Sequence, residues 1–313
     1  MLTQRAWRAW PPCWAWERPL LFLLLASARG LELGVRLTTT VLVLGFLAAL
    51  YAVRRRHARP GGDPRLVDCA GVVVVLFGGG LAGGLICLVG QTFALPLVDP
   101  LLHRADLLLG IDVEAVVRGV VSIPGLPALM VTAYNSSFPI LFLSALIFAW
   151  TGRSRRAWEL CFVFNVCLLV TTISSAMIPA TGPFYYLDFP AALQQALPPG
   201  AGTFYLADLF ALRDADRFIV DPSQLQGVAV FPSFHAMLGV MTAAAWRDFP
   251  SIRIAMCAWQ GLVILSAIPI GGHYGSDLAA GVICWGLVQL LWHRMIDRPS
   301  AKSSVDETAP AFA

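Results

Sequence analysis

Two short stretches of the chain combine histidine with serine or aspartate at spacings that suit catalysis. Residues 231–236 read FPSFHA, and residues 271–277 read GGHYGSD. Imidazole groups can act as nucleophiles and as general acids or bases near neutral pH. One neutral ring could attack phosphorus while one protonated ring protonates the leaving oxygen. We therefore predict a phosphoryl-transfer site built on His235, His273 and Asp277.

The local sequence predicts how helices position these side chains. Pro232 suits the first position of a helix, because its φ is preset and it has no N–H to leave unpaired. Ser233 and His235 would then lie in an opening helical turn, where free N–H groups and the positive dipole end attract phosphate. Asp277 follows His273 by four residues and so shares its helical face. A carboxylate there can fix the imidazole tautomer and stabilise the protonated ring.

A single helical hairpin connects the two histidines. Both of its limbs rise roughly 20–25 Å at 1.5 Å per residue, so the two rings can meet at similar depth. A lone histidine in a membrane is often only a structural hydrogen-bonding residue. Ionisable groups within a membrane are costly, however, and two histidines with an aspartate at one face favour function.

The composition places most of the chain in a bilayer. Of its 313 residues, 58% are hydrophobic and 13% are charged, with a mean hydropathy of +0.71, whereas soluble domains carry about 25% charged residues. A net charge of +3 is too small to indicate a nucleic-acid partner. The chain has seven cysteines without metal-type spacing and no acidic cluster, so no metal or other cofactor is expected.

The hydropathy pattern predicts an all-α fold, a polytopic membrane helix bundle. It should contain about six core transmembrane helices, together with N-terminal membrane segments and interfacial helices. Residues 96–126 are amphipathic and are predicted to form helices in the interface plane. The predicted spans lie at 37–53, 66–95, 127–150, 157–179, 229–249, 252–270 and 274–292.

Three regions are predicted along the chain. Residues 1–36 are rich in tryptophan and arginine, and their apolar run at 20–28 is about half the length needed to cross roughly 30 Å of hydrocarbon. This N-terminal segment is therefore expected to be interfacial or partly inserted. Residues 37–296 should form the transmembrane catalytic domain, with its core at 66–292. Residues 297–313 should form a disordered cytoplasmic tail.

Arginine clusters predict the orientation of the bundle. Four arginine-containing regions fall on one side of the membrane by alternation of the spans, and such regions are usually cytoplasmic. The long segment 180–228 and both histidines then lie on the non-cytoplasmic side. This arrangement favours a bacterial inner (plasma) membrane, although a lumenal eukaryotic site would satisfy the same topology.

The two histidine stretches resemble the motifs of the type-2 phosphatidic acid phosphatase superfamily. The matching elements are Pro-Ser-Phe-His at 232–235 and His-x-x-x-Asp at 273–277. The resemblance implies that His273 is the nucleophile, that Asp277 supports it, and that His235 is the general acid and base.

The sequence also departs from the usual pattern of that superfamily. Ala267 stands where an arginine is usual, Phe234 replaces a glycine, and the Lys-x6-Arg-Pro motif that normally precedes both histidine motifs is absent. The two motif sequences are more similar to those of the inositolphosphotransferase branch named for aureobasidin resistance, which has Phe-Pro-Ser-x-His and His-Tyr-x-x-Asp. The segments 104–106, 110–112 and 179–186 are also similar to that branch.

The missing lysine and arginines raise the question of what binds the phosphate. A transferring phosphoryl group spreads charge over its equatorial oxygens and needs positioned donors. Arg213 and Arg217 precede the first motif, or they could be solvated charges balanced by Asp214 and Asp216. The full set of predicted phosphate- or substrate-binding residues is Ser233, Arg213, Arg217, Tyr185, Tyr186 and Tyr134.

The favoured interpretation is a membrane-embedded lipid phosphotransferase. It would move a phosphoryl group or phospho-headgroup from a lipid phosphate through a phosphohistidine on His273. One alternative is a lipid phosphate phosphatase that uses water as the acceptor. A second is a transporter with a proton-relay His/Asp set, although no internal repeat of the kind common in transporters is visible. A third is a catalytically inactive relative, and the oligomeric state stays open.

Overall fold

The computed structural model describes residues 17–30, 32–221 and 227–296. Most of the predicted N-terminal tryptophan and arginine cluster, and the predicted tail at 297–313, lie outside the described residues. In chain order, the elements are α1 (Glu17–Arg29), β1 (Glu32–Val35), α2 (Leu37–His57), α3 (Pro64–Gln91), α4 (Asp99–Leu108), α5 (Val113–Ser122), α6 (Leu126–Trp150), α7 (Ser154–Met177), α8 (Pro183–Tyr186), α9 (Ala191–Gln195), α10 (Leu206–Arg213), β2 (Arg217–Val220), α11 (Phe234–Ala245), α12 (Pro250–Ser266) and α13 (Gly275–Ile296).

The prediction of an all-α polytopic helix bundle is confirmed. Helix accounts for about 72% of the structure, in 13 helices among the described residues. In the same part of the chain, the five helices α2, α3, α6, α7 and α13 are long and apolar enough to cross a membrane, while α11 and α12 are shorter apolar helices. Two four-residue strands, β1 and β2, pair in parallel and were not predicted from the sequence.

The start of α11 corrects the predicted position of Pro232. The helix begins at Phe234, and Ser233 is its N-cap, accepting a hydrogen bond from the Ala236 amide at 3.3 Å. Pro232 therefore lies two residues before the first helical residue and not within the helix. A serine with an extended backbone is among the preferred N-cap residues, and here it sets the boundary that was assigned to proline.

Close approach of α3 and α7 forms the centre of the bundle. A side chain at Gly90 would place its Cβ 2.6 Å from the Cβ of Ala176, so this contact requires a glycine. Small residues of this kind let membrane helices pack closely. Beside this pair, α11 and α13 pack against α7, and α12 packs against α6 and α11.

A polar network ties several helix ends together at one end of the bundle. Glu159 of α7 accepts hydrogen bonds from Arg247 at 3.4 Å and from Gln289 of α13 at 2.7 Å. Asp68 of α3 accepts a hydrogen bond from Ser154 at the start of α7. The arginine-containing ends of α3, α7, α11 and α13 therefore lie at the same end of the bundle.

The opposite end is covered by the shorter elements. The amphipathic segment 96–126 forms helices α4 and α5, as its pattern predicts. Helix α1 packs against α3, where Phe22 contacts Phe218 of β2, and the Arg29 Nε donates to the Thr92 carbonyl at 2.8 Å. These elements form the cap over the end of the bundle where both histidines lie.

Candidate active site

The second histidine motif forms a tight turn just before α13. Because the helix begins at Gly275, His273 lies outside it and does not share a helical face with Asp277, which corrects that prediction. The Nδ1 of His273 lies 3.4 Å from the Oδ2 of Asp277, and the same oxygen accepts the Tyr274 amide at 2.9 Å. The side chains of His273 and Asp277 are almost completely buried. When Nδ1 carries its proton toward the carboxylate, Nε2 keeps the lone pair that a nucleophile needs.

The first histidine faces the second across a short gap. The rings of His235 and His273 have their centroids 6.5 Å apart. His235 is held by stacking on Tyr134, at 3.8 Å between centroids and 17° between planes, and by the edge of Phe138 at 5.9 Å. A phosphorus at roughly 3–3.5 Å from one ring, with its leaving oxygen at roughly 2.6–3.2 Å from the other, fits this separation.

A direct backbone contact joins the two motifs. The Ser233 amide donates to the Asp277 carbonyl at 3.0 Å. The helices approach so closely that a Cβ at Gly281 would lie 2.5 Å from the Ser233 carbonyl oxygen. Ser233 itself is fully buried and its hydroxyl oxygen caps α11, so this predicted phosphate ligand does not line the cavity described below.

Asp106 of α4 binds the backbone of the second histidine motif. Its carboxylate accepts hydrogen bonds from the amides of Gly275 at 2.9 Å and Ser276 at 2.6 Å, and it is fully buried. These are the first amides of α13, and a carboxylate there also interacts favourably with the helix dipole. Asp106 therefore fixes the turn that carries His273 and Asp277.

Asp99, at the start of α4, anchors the same turn from another direction. It accepts hydrogen bonds from the Thr181 amide at 2.9 Å, from the Gly182 amide at 2.8 Å, and from the Tyr274 hydroxyl at 3.0 Å. It thereby connects the segment 179–186 to the histidine turn. Sequence reasoning gave no role to Asp99 or Asp106, although their seven-residue spacing places both on one face of a helix.

Two loop residues complete the packing beside His273. The Tyr205 hydroxyl donates to the Thr181 carbonyl at 2.9 Å, and burial raises the pKa of Tyr205 well above its ordinary value, so the phenol stays protonated. Gly272 adopts a φ of +72°, and a Cβ there would lie 2.4 Å from the Gly202 carbonyl oxygen. Only glycine satisfies both conditions.

Both histidines line a cavity of about 510 Å³. Its walls come from the glycine-rich half of α3 and from α6 and α7, and most of the lining is apolar. Among the described residues, no lysine or arginine lines it. The polar side chains in the lining, besides the histidines, are Tyr134, Asn135, Thr171, Thr172 and Tyr205.

Four of the predicted phosphate-binding residues lie elsewhere. The Nη2 of Arg213 donates to the Leu95 carbonyl at 2.8 Å, and Arg217 is exposed on β2. Tyr185 and Tyr186 are 56% and 40% exposed. None of the four lines the cavity. Arg213 and Arg217 precede the first motif in sequence, but this proximity does not bring their side chains to the cavity.

Comparison with known proteins gives one match. A family model described as the PAP2 superfamily matches residues 100–291, which is more than half of the chain. No curated protein and no solved structure matches the chain significantly. Members of this superfamily act on phosphate esters as phosphatases or phosphotransferases. With its apolar helices, the chain is an integral membrane protein, and it belongs to the PAP2 superfamily.

Proposed function

We propose that this protein is a lipid phosphotransferase that works through a phosphohistidine on His273. The observation that carries the proposal is the position of the histidine pair at one end of a largely apolar cavity between membrane helices. A phosphate ester could bridge the two rings while its hydrocarbon chain occupies the cavity. Predominantly apolar pockets with a few convergent polar groups are typical ligand sites.

The chemistry divides into two steps. In the first, the Nε2 of His273 attacks phosphorus, the P–O bond to the leaving group breaks, and His235 gives its proton to the departing oxygen. In the second, His235 removes a proton from the acceptor hydroxyl, whose oxygen attacks the phosphohistidine and releases His273. Asp277 stabilises the positive charge that develops on the His273 ring in the first step.

The negative oxygens of the phosphoryl group need donors. Because no lysine or arginine from the described residues lines the cavity, we assign this role to the backbone amides of Phe234 and His235 at the start of α11 and to the side chains of Tyr134 and Asn135. Helix N-termini bind phosphate through these amides and through the dipole. Oriented neutral donors stabilise charge strongly in a site that excludes water.

The acceptor decides between a transferase and a hydrolase. The inositolphosphotransferase interpretation is supported by the spellings FPSFH and HYGSD, and by the segment 179–186, which Asp99 holds against Tyr274. The competing function is a phosphatase, in which water takes the place of a polyol in the second step. Both use the same residues.

We further propose that the site faces the non-cytoplasmic side of a bacterial inner membrane. The arginine-containing ends of the helices lie at the end of the bundle opposite the histidines, and such ends usually stay in the cytoplasm. Labelling of cysteines introduced into residues 180–221 by a membrane-impermeant reagent in intact cells tests this orientation. Labelling only after cell disruption would contradict it.

The activity test uses the purified full-length protein in detergent with labelled lipid phosphates. We expect turnover that is sensitive to vanadate and is lost in His273→Ala. Transfer of label to a second lipid or to a polyol such as inositol identifies a transferase, whereas release of inorganic phosphate alone identifies a phosphatase. Solute flux in proteoliposomes without turnover would instead indicate a transporter.

A glycine pair on α3 tests whether the cavity holds the lipid chain. Gly80 lines the cavity and Gly78 does not, and a Cβ at either position meets no atom within 4 Å. Gly80→Leu should therefore fill the cavity, while Gly78→Leu serves as the matched control. Losing burial of two or three methylenes at about 0.8 kcal/mol each predicts a rise in KM of about tenfold or more for a long-chain substrate. An equal rise for a short soluble phosphate ester would contradict a chain-binding role.

A further inference from the structure

A second concave site lies at the end of the bundle opposite the histidines. It sits where α2 ends and α3 begins, and it has a volume of about 460 Å³. Its lining combines cationic and hydrogen-bonding side chains with one aromatic ring. The polar lining residues are Tyr51, Arg54, Arg55, His57 and Arg59.

The positive charge of this pocket is only weakly compensated. Within the described part of the chain, neither Arg55 nor Arg59 forms an ion pair with a carboxylate. The nearby Asp63 uses its Oδ1 to accept the Arg65 amide at 2.8 Å as the N-cap of α3. Asp68 is buried, accepts hydrogen bonds from Ser154 and from the Trp158 side chain, and interacts favourably with the charge of Arg54, so the weakly compensated charges are those of Arg55 and Arg59.

The backbone gives the pocket its shape. The Asp63 amide donates to the Nδ1 of His57 at 3.4 Å, which leaves the Nε2 of that ring as the donor. A Cβ at Gly62 would lie 2.1 Å from the His57 carbonyl oxygen, so the connection can fold this tightly only with glycine. The tendency of arginines to stay in the cytoplasm explains their presence here, but it does not require them to surround a cavity.

The pocket also lies at the level of lipid headgroups. Tyr51 is 57% exposed and stands one turn before the arginines, a position typical of tyrosine at a membrane boundary. Helix α2 has no buried residue, so most of its surface faces lipid, and its main packing partner is α3. A ligand held between the ends of α2 and α3 would secure a helix that packs mainly on one neighbour.

We propose that this pocket binds the phosphate of an anionic lipid headgroup in the leaflet opposite the candidate active site. Guanidinium groups match phosphate oxygens in bidentate geometry, and basic pockets between helices at a membrane surface select anionic lipids. The apolar side of α2 beside Tyr51 accommodates the start of the lipid chains. This proposal does not depend on the proposed enzymatic function.

Native mass spectrometry of the delipidated full-length protein tests the proposal, with phosphatidylglycerol and phosphatidylcholine as the probes. We expect the wild type to bind the first phosphatidylglycerol at least tenfold more tightly than phosphatidylcholine. Arg55→Gln with Arg59→Gln should abolish this preference. The matched control, Arg253→Gln with Arg294→Gln, removes two exposed arginines outside the pocket and should keep it. If the double variant does not fold, Arg59→Gln alone should reduce the preference.

Four results would overturn the proposal. The wild type could show no preference for the anionic lipid, or the control variant could lose the preference as fully as the pocket variant. Inorganic phosphate at the same concentration could displace the lipid, which would make free phosphate the ligand. Gly80→Leu, which fills the cavity beside the histidines, should leave the lipid preference unchanged. If this variant loses the preference for phosphatidylglycerol, the bound lipid occupies that cavity and not the pocket.

Discussion

Replacing Asp106 with asparagine should slow phosphoryl transfer by loosening the turn that carries His273, although Asp106 itself does not line the cavity. The carboxylate accepts two amide hydrogens of the turn that carries His273 and Asp277, at 2.9 and 2.6 Å, and it is fully buried. In Asp106→Asn, one oxygen can still accept, but the new amide group points a donor at the second N–H. One charge-assisted hydrogen bond is lost and one buried amide is left unpaired.

The size of the effect follows from these two contacts. Hydrogen bonds to charged groups contribute about 1.5–3 kcal/mol each, and a carboxylate at a helix N-terminus adds about 0.3–1 kcal/mol. Loss of one bond and of the charge therefore weakens the turn by about 2–4 kcal/mol. If this energy keeps the nucleophile in position, kcat should fall by about 30-fold to 1000-fold, at 1.36 kcal/mol for each factor of ten.

The assay is steady-state turnover of a labelled lipid phosphate by the purified variant. We expect the loss in kcat with little change in KM, because Asp106 does not line the cavity. Asp112→Asn is the matched control: Asp112 caps the neighbouring helix α5 through the Ala115 amide at 3.0 Å, and asparagine caps a helix about as well as aspartate. Wild-type kcat in Asp106→Asn, or an equal loss in Asp112→Asn, would refute the positioning role.

Three further predictions follow from the same structure. Asp277→Asn should lower kcat by roughly 10²–10⁴-fold, the usual contribution of a positioned acid–base group, and wild-type turnover would exclude its role. Arg213→Gln should leave turnover within about twofold of wild type, because Arg213 donates to the Leu95 carbonyl and does not line the cavity; a loss of about tenfold, or 1.36 kcal/mol, would place this arginine at the phosphate. Gly90→Ala should destabilise the protein by about 1–3 kcal/mol through overpacking against Ala176. Gly78→Ala, which meets open space, should not lower the thermal unfolding midpoint, and equal midpoints for the two variants would contradict the packing argument.

The amino-acid sequence was sufficient to predict that the chain lies in a lipid bilayer, that its fold is all-α, and where its two histidine motifs are. The hydropathy of a long apolar segment depends only on its local composition. The majority of the apolar helix ends could therefore be predicted to within a few residues. His273 does lie beside Asp277, at 3.4 Å, but not on a shared helical face, because α13 begins at Gly275 and His273 lies in the turn before it. The start of α11 was predicted less well, because the helix is capped by Ser233 and does not begin at Pro232.

The polar groups that reach the histidine turn from distant parts of the sequence could be identified only from the folded structure. Asp106 contacts Gly275 and Ser276 across about 170 residues of chain, and no local pattern separates an inward-facing aspartate on an amphipathic helix from an interfacial one. Proximity in sequence likewise suggested Arg213 as a phosphate ligand, but its helix directs it to the Leu95 carbonyl. Such contacts depend on how whole helices pack, and a buried carboxylate takes the partners that this packing leaves unpaired.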